Sequence, residues 1–253
     1  MTCMIINYLE SKWSAPRLSI LRTLWVNFRC LSLCRAFLLP IRIYGKVKLA
    51  CLDGNIELPD GTKLEIGRNV AAYVNTCPGR LSILSGGTLR VGKGVKISQG
   101  VNILVHNDSL LEFGDYCTVG DNAKIICYNH ISIGNHTDLT WETQTMDFNS
   151  HPIEQIGGGI LQIISEIYIG NYCWIGNRSS VMPGTVLPDR IIVASNSLLN
   201  RDYSEIFQHN SLVGGIPSKL LKDGVRRIYE KDKEYKIINE QLVQTRAKRH
   251  KKS

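Results

Sequence analysis

The chain has 253 residues, of which 43% are hydrophobic and 21% charged. That is a globular composition, long enough for one or two domains with a sizeable core, and it excludes an intrinsically disordered chain. The net charge of +8 favours anionic partners such as a phosphorylated cofactor or a membrane surface. Without a basic–aromatic signature it does not point to nucleic acid.

Residues 1–45 read as a helical segment, with Pro16 near its start and Pro40 as a stop. No small-residue cleavage site follows an apolar core, so a signal peptide is not expected. The run from Leu18 to Ile43 is apolar but carries Arg22, Arg29, Arg35 and Arg42, too many cations for a membrane span of ~20 residues. Two readings stay open: an amphipathic cap packed on the body of the protein, and a basic helix resting peripherally on an anionic membrane surface.

Residues 46–216 are rich in Gly, Asn, Val and Ile, and they repeat. Val91, Ile97 and Ile103 are six apart; so are Phe113, Val119, Ile125 and Ile131; the longest run is Ile169, Ile175, Val181, Leu187, Val193 and Leu199. Glycine follows several of these aliphatics, as in Val91-Gly92, Val119-Gly120 and Ile175-Gly176. A period of six fits neither an α-helix nor a simple strand. It fits a solenoid of short strands and tight corners, with one inward aliphatic per face and three faces per 18-residue coil. Glycine and asparagine are expected to supply the left-handed backbone at the corners. Residues 217–253 turn charged again and read as a helix ending in a basic tail. Eight cysteines are dispersed along the chain without a C-x-x-C pair, a pattern that reads as reduced core thiols of a cytosolic protein rather than a zinc cluster.

The frame fails at one place. Ile133, Leu139 and Thr145 step in sixes up to His151, and "SHPIEQIGGGILQI" (150–163) interrupts the repeat. A histidine in core phase, at the lip of Gly157, Gly158 and Gly159, suits a cleft better than a core.

The repeat, the "SHPI" segment and the downstream "CWIGNRSSVMPG" coil at Cys173–Gly184 together resemble the hexapeptide-repeat O-acetyltransferases of the maltose and galactoside type. The N-terminal segment looks more like that of acetyltransferases of capsule and O-antigen assembly. The resemblance implies a mainly β fold, a left-handed parallel β-helix, which departs from the usual right-handed crossover, between the two terminal helical segments. It implies His151 as general base, a role typically worth ~10²–10⁴-fold. Asp147 is favoured as the carboxylate that orients it, ahead of Glu142 and Glu154. Asn122 falls near the family's substrate-contacting asparagine. The positions that would hold acetyl-CoA are Asn177, Ser195, Asn200, Arg201, Lys219 and Lys222, the last two in the closing "GGIPSKLLK". No metal and no acyl-enzyme are implied. The implied partners are a saccharide acceptor, from a cell-surface polysaccharide precursor, and two further copies of the chain in a homotrimer with active sites between subunits. The implied location is the cytoplasm, with peripheral contact at the inner membrane face.

Two glycines usual in the family are absent, at Pro188 and Ala194, which is expected to reshape the cofactor groove. Amino-sugar N-acetylation and serine acetylation are the nearer alternatives. A γ-class carbonic anhydrase would need zinc histidines on adjacent coils, and His130 and His136 stand only six apart. A non-enzymatic β-helical binding protein is the alternative of a different class.

Overall fold

The computed structural model describes residues 16–68 and 75–250; residues 1–15 of the N-terminal segment and 251–253 of the basic tail lie outside the described residues. Three parallel sheets form the faces of a prism, a left-handed β-helix. Face 1 runs from Ile41–Ile43 and Leu64–Ile66 up to Ile192–Val193 and Leu212–Gly214; face 2 runs from Val47–Leu52 to Leu198–Leu199; face 3 runs from Asn55–Glu57 to Val186–Leu187. Each coil passes from face 3 to face 1 to face 2.

The six-residue steps are the core. Every member of the run from Ile169 to Leu199 is buried, as are Val91, Ile97, Ile103, Phe113, Val119, Ile125 and Ile131. Two residues before many of these aliphatics stands a second buried residue, usually small: Cys117, Ala123, Thr137, Thr143, Cys173, Ser179, Thr185, Ser197. Cys117 and Cys173 fill two such slots, while Val95, Val101 and Ile191 occupy the same position before Ile97, Ile103 and Val193. Burial pushes the thiol of Cys117 up to about 11 and that of Cys173 to about 12, so neither is a nucleophile near neutral pH.

The coil length is not constant. Ile97 pairs with Val119 and Val119 with Leu139, repeats of 22 and 20 residues, whereas Ile175 pairs with Val193, a repeat of 18. The early coils have longer strands, such as Asn102–Val105 and Leu110–Phe113. The glycines serve two purposes, one of them as expected: Gly86, Gly94, Gly100 and Gly184 take the left-handed angle at corners, with φ between 68° and 78°. A Cβ on Gly92, Gly120 or Gly134 would lie 2.6 Å from atoms of the next coil, so glycine is needed there for close stacking. The left-handed angle also falls two residues after such positions, on Gly94 and Asn122 as expected and in other coils on Tyr116, His136, Glu142, Tyr172, Arg178 and Arg190, the non-glycines all with φ between 55° and 61°. At Ala194, the methyl group is accommodated because the coil above carries Gly214, whose added Cβ would lie 2.8 Å from it.

Helix α1 (Ile20–Cys30) and the single turn α2 (Leu33–Ala36) close the N-terminal end. The strand Ile41–Ile43 leaves one edge of face 1 unpaired, and α1 satisfies it with side chains. Thr23 Oγ1 accepts the N–H of Ile43 at 3.0 Å, Asn27 Oδ1 accepts that of Ile41 at 3.1 Å, and Asn27 Nδ2 donates to Ile41 O at 2.6 Å. At the other end Leu212–Gly214 turns through a cis Ile216–Pro217 bond into the antiparallel strand Lys219–Lys222, and α3 (Lys231–His250) follows.

Candidate active site

The corner between faces 2 and 3 carries a ladder of rings. His106 stacks on Tyr128 at 4.2 Å, and Tyr128 on Phe148 at 4.1 Å. Above this ladder the chain leaves the prism. Asp147 follows Met146, which pairs with Ile126, and so sits above Cys127 in a core position. It is fully buried, and its carboxylate is satisfied locally: it accepts the backbone N–H groups of Tyr128 at 2.7 Å and Asn129 at 2.8 Å. Its carbonyl accepts the N–H of Ser165, where the excursion returns, at 3.0 Å. Asp147 therefore ties both ends of the excursion to the corner below.

Between those ends residues 148–164 form an antiparallel ribbon. Phe148 bridges Ile164 and Glu154 bridges Ile160; Asn149 N–H bonds Ile163 O at 2.7 Å, and Leu161 N–H bonds Ile153 O at 2.9 Å. The tip turns on Gly158 and Gly159, with φ of 91° and 96°, angles that side-chain-bearing residues rarely adopt. The tip residue Ile156 is fully exposed. His151 lies on this arm, exposed, with no hydrogen-bond partner among the described residues. The six-residue frame thus ends inside the core at Thr145 and Asp147, and His151 stands outside it.

The coils above the arm's root carry the first of the expected cofactor residues. Gly184 N–H bonds Ser165 O, and Val186 N–H bonds Arg201 O one coil higher. Arg201 and Asn200 are exposed on this corner; the Asn200 amide faces the Tyr203 hydroxyl at 3.3 Å. Lys219 and Lys222, on the closing strand, are exposed as well. None of these three cations meets a carboxylate among the described residues.

The corner between faces 1 and 2 holds the others. Ser195 Oγ donates to Asn177 Oδ1 at 2.5 Å, one residue stacked on the other across an 18-residue coil. Asn122 is two coils below Asn177 on the same corner. Its side chain holds the segment before Gly79, accepting the N–H of Cys77 at 3.1 Å and donating to Asn75 O at 2.8 Å. Trp141, on the intervening coil, and Arg178, beside Asn177, were not among the residues expected from the sequence. Arg178 lies over the Trp141 ring at 5.0 Å and pairs with Glu142 at 2.8 Å. Their 36-residue spacing, one coil plus the arm, is the signal that would have aligned them. Glu142 is therefore engaged on this corner, away from the arm's root.

Two edges of the prism thus carry the candidates: His151, Asn200 and Arg201 on one, Asn122, Asn177 and Ser195 on the other. Face 2 separates them by about 16 Å, the span of five extended residues. His130 and His136 do not meet. His130 pairs with Glu112 on face 3 at 2.7 Å, and His136 is sandwiched between Tyr116 and Tyr172 at the next corner.

No family model matches the chain. It is 24% identical over 149 residues to WbbJ of Escherichia coli K12, assigned to lipopolysaccharide biosynthesis as an O-acetyl transferase; the match covers 55% of this chain and 74% of that one. It is 26% identical to an uncharacterized 24.8 kDa protein of the cps region of Klebsiella pneumoniae, over 87% of this chain and 94% of that one. A chloramphenicol acetyltransferase of Morganella morganii is 26% identical, over 44% of this chain and half of its own length. Among solved structures, the polySia-specific acetyltransferase NeuO shares the fold with a TM-score of 0.58 at 16% identity, covering 73% of each chain.

Proposed function

We propose that this chain is an acyltransferase of the hexapeptide-repeat, left-handed β-helix type, and that it acetylates a saccharide hydroxyl with acetyl-CoA as donor and His151 as general base. One observation carries the reading. An exposed imidazole with no competing hydrogen bond stands on an arm whose root lies two coils below the unpaired cation Arg201. Kinship with proteins of lipopolysaccharide biosynthesis and the cps region supports a saccharide acceptor.

Acetyl-CoA, when bound, supplies the thioester carbonyl that the hydroxyl attacks. Arg201, Lys219 and Lys222 offer charge to its phosphates, and each charge-assisted contact is worth about 1.5–3 kcal/mol before screening. Asn177 and Ser195 offer polar groups along one edge, and Asn200 along the other. The acceptor hydroxyl is too weak an acid to ionise unaided at neutral pH. His151 takes its proton on an unprotonated ring nitrogen as the new C–O bond forms, and the proton ends on the departing thiol, so the imidazole is regenerated. Cys117 and Cys173 are buried with raised pKa, which removes those two as acyl carriers and favours direct transfer. Asp147 acts as a positioning residue: it holds the root of the arm, and its carboxylate is occupied by two amides. Asn122 shapes the acceptor end by fixing residues 75–77.

The site would be completed by a second copy in a homotrimer. The exposed arm tip and the partly exposed apolar column of Leu104, Ile126 and Met146 on face 2 support such packing. A cytoplasmic location suits the supply of acetyl-CoA.

Two variants separate chemistry from donor binding. His151→Ala should leave acetyl-CoA affinity nearly unchanged in calorimetry while thiol release with a saccharide acceptor falls by ~10²-fold or more. Lys219→Ala should raise the dissociation constant roughly tenfold, more at low salt, with a smaller effect on turnover at saturation. Normal turnover by His151→Ala would make the histidine structural.

A further inference from the structure

Helix α1 is turned the wrong way round for a helix that faces water. Its buried side is Thr23, Val26, Asn27 and Cys30, whereas Ile20, Leu21, Leu24, Trp25 and Phe28 point outward. Leu21 is 81% exposed and Trp25 61%. Two of the four buried residues are polar because Thr23 and Asn27 close the open edge of face 1. That leaves the bulky apolar side without cover among the described residues. The patch continues past α2, where Phe37 is 73% and Leu38 77% exposed and Phe28 meets Phe37 edge to face at 5.2 Å. Exposed apolar patches of this kind mark interaction surfaces.

The charges around the patch select the partner. Arg29 and Arg35 are neutralised by Asp53 and Asp60. Arg17, Arg22, Lys46 and Lys48 meet no carboxylate among the described residues. Arg22, Lys46 and Lys48 border an open groove of about 810 Å³ whose other walls are Leu21, Trp25, Leu49 and Pro78. A tryptophan at the rim of an apolar face, ringed by free cations, is the composition of a helix lying in the interface of an anionic bilayer. No helix among the described residues is long and apolar enough to cross a membrane, so the contact is one of lying on the surface.

We propose that α1 and the α2 segment form a peripheral docking face for an anionic bilayer. Leu21, Trp25, Phe37 and Leu38 enter the acyl boundary, and Arg17, Arg22, Lys46 and Lys48 contact lipid phosphates. The end cap of the solenoid is then also its membrane anchor. This inference does not depend on the acetyl-transfer reading, because the face lies at the end of the prism opposite to Arg201 and Lys219.

Flotation of the full chain with phosphatidylcholine vesicles, with and without phosphatidylglycerol, tests it. The wild type should float with the anionic vesicles and not with the neutral ones. Leu21→Asp/Trp25→Asp should lower the bound fraction by roughly tenfold or more, and Arg22→Glu/Lys48→Glu by a similar factor that shrinks at high salt. Phe37→Asp/Leu38→Asp provides a second, separate apolar variant, and unchanged melting temperatures establish that the variants fold. Equal flotation of wild type and all variants would overturn the proposal. So would a wild type that never floats; if the apolar variants then also lower the mass seen by light scattering, the face is a contact between copies of the chain.

Discussion

At Thr145 the core holds a hydroxyl with no hydrogen-bond partner among the described residues. The residue sits between Ile125 and Val181 in the face 2 column, where every other coil from Leu81 upward presents an aliphatic. A buried, unpaired polar group costs about 1–3 kcal/mol, and a replacement of the same shape removes that cost. Thr145→Val should therefore stabilise the protein by about 1 kcal/mol, which is roughly 2–4 °C in Tm for a chain of this size. Thermal unfolding followed by circular dichroism reads the shift, and a lowered Tm would show that the hydroxyl is satisfied. Two residues on, Asp147 shows the opposite case: a buried carboxylate that the core tolerates because two backbone amides point at it.

Among the elements, α1 and the 148–164 arm are both departures from the repeat, and their side chains explain why each is held. Among the described residues the arm is anchored at its root, through Asp147 and the Phe148–Tyr128 stack, which leaves its tip free to reach beyond its own prism. The helix is anchored along its length by Thr23 and Asn27. Asn27→Ala would strand the N–H and C=O of Ile41 in a buried position, at a cost of about 2–4 kcal/mol for the two groups. Asn27→Ala should lower the urea midpoint accordingly. A midpoint within error of wild type would mean that the strand edge finds another partner.

At the scale of the whole molecule, the residues of the proposed site lie on two edges of one prism. His151 and Arg201 share one edge, Asn177 and Ser195 another, with face 2 between them. Face 2 is also the side with an apolar outer column, Leu104, Ile126 and Met146. Packing three copies through such columns would bring one chain's arm to another chain's corner. Light scattering of the wild type should give three times the chain mass of 28.4 kDa. Ile126→Asp/Met146→Asp should dissociate it and abolish turnover together. A monomeric wild type with full activity would remove the shared-site reading.

The amino-acid order alone determined the solenoid, because each inward aliphatic recurs at a step that only a three-sided coil of short strands can use. It located the interruption, since a glycine-rich stretch carrying a His-Pro pair cannot continue that step, and it grouped Lys219 and Lys222 by their closing motif. It did not determine where the interruption begins to leave the core. Phase counting put His151 in core register at the lip of a cleft, whereas Asp147 takes the last buried position and the histidine stands on an exposed ribbon. That outcome depends on amides of residues 128 and 129, some twenty positions away in the chain. The second role of the glycines was decided the same way: the approach of the next coil demands Gly92, Gly120 and Gly134, while tyrosine, histidine and arginine share the left-handed corners with glycine and asparagine. Only the folded prism could show that α1 spends Thr23 and Asn27 on the open edge of a sheet and leaves its apolar side outward, because that edge exists only once the coils have stacked.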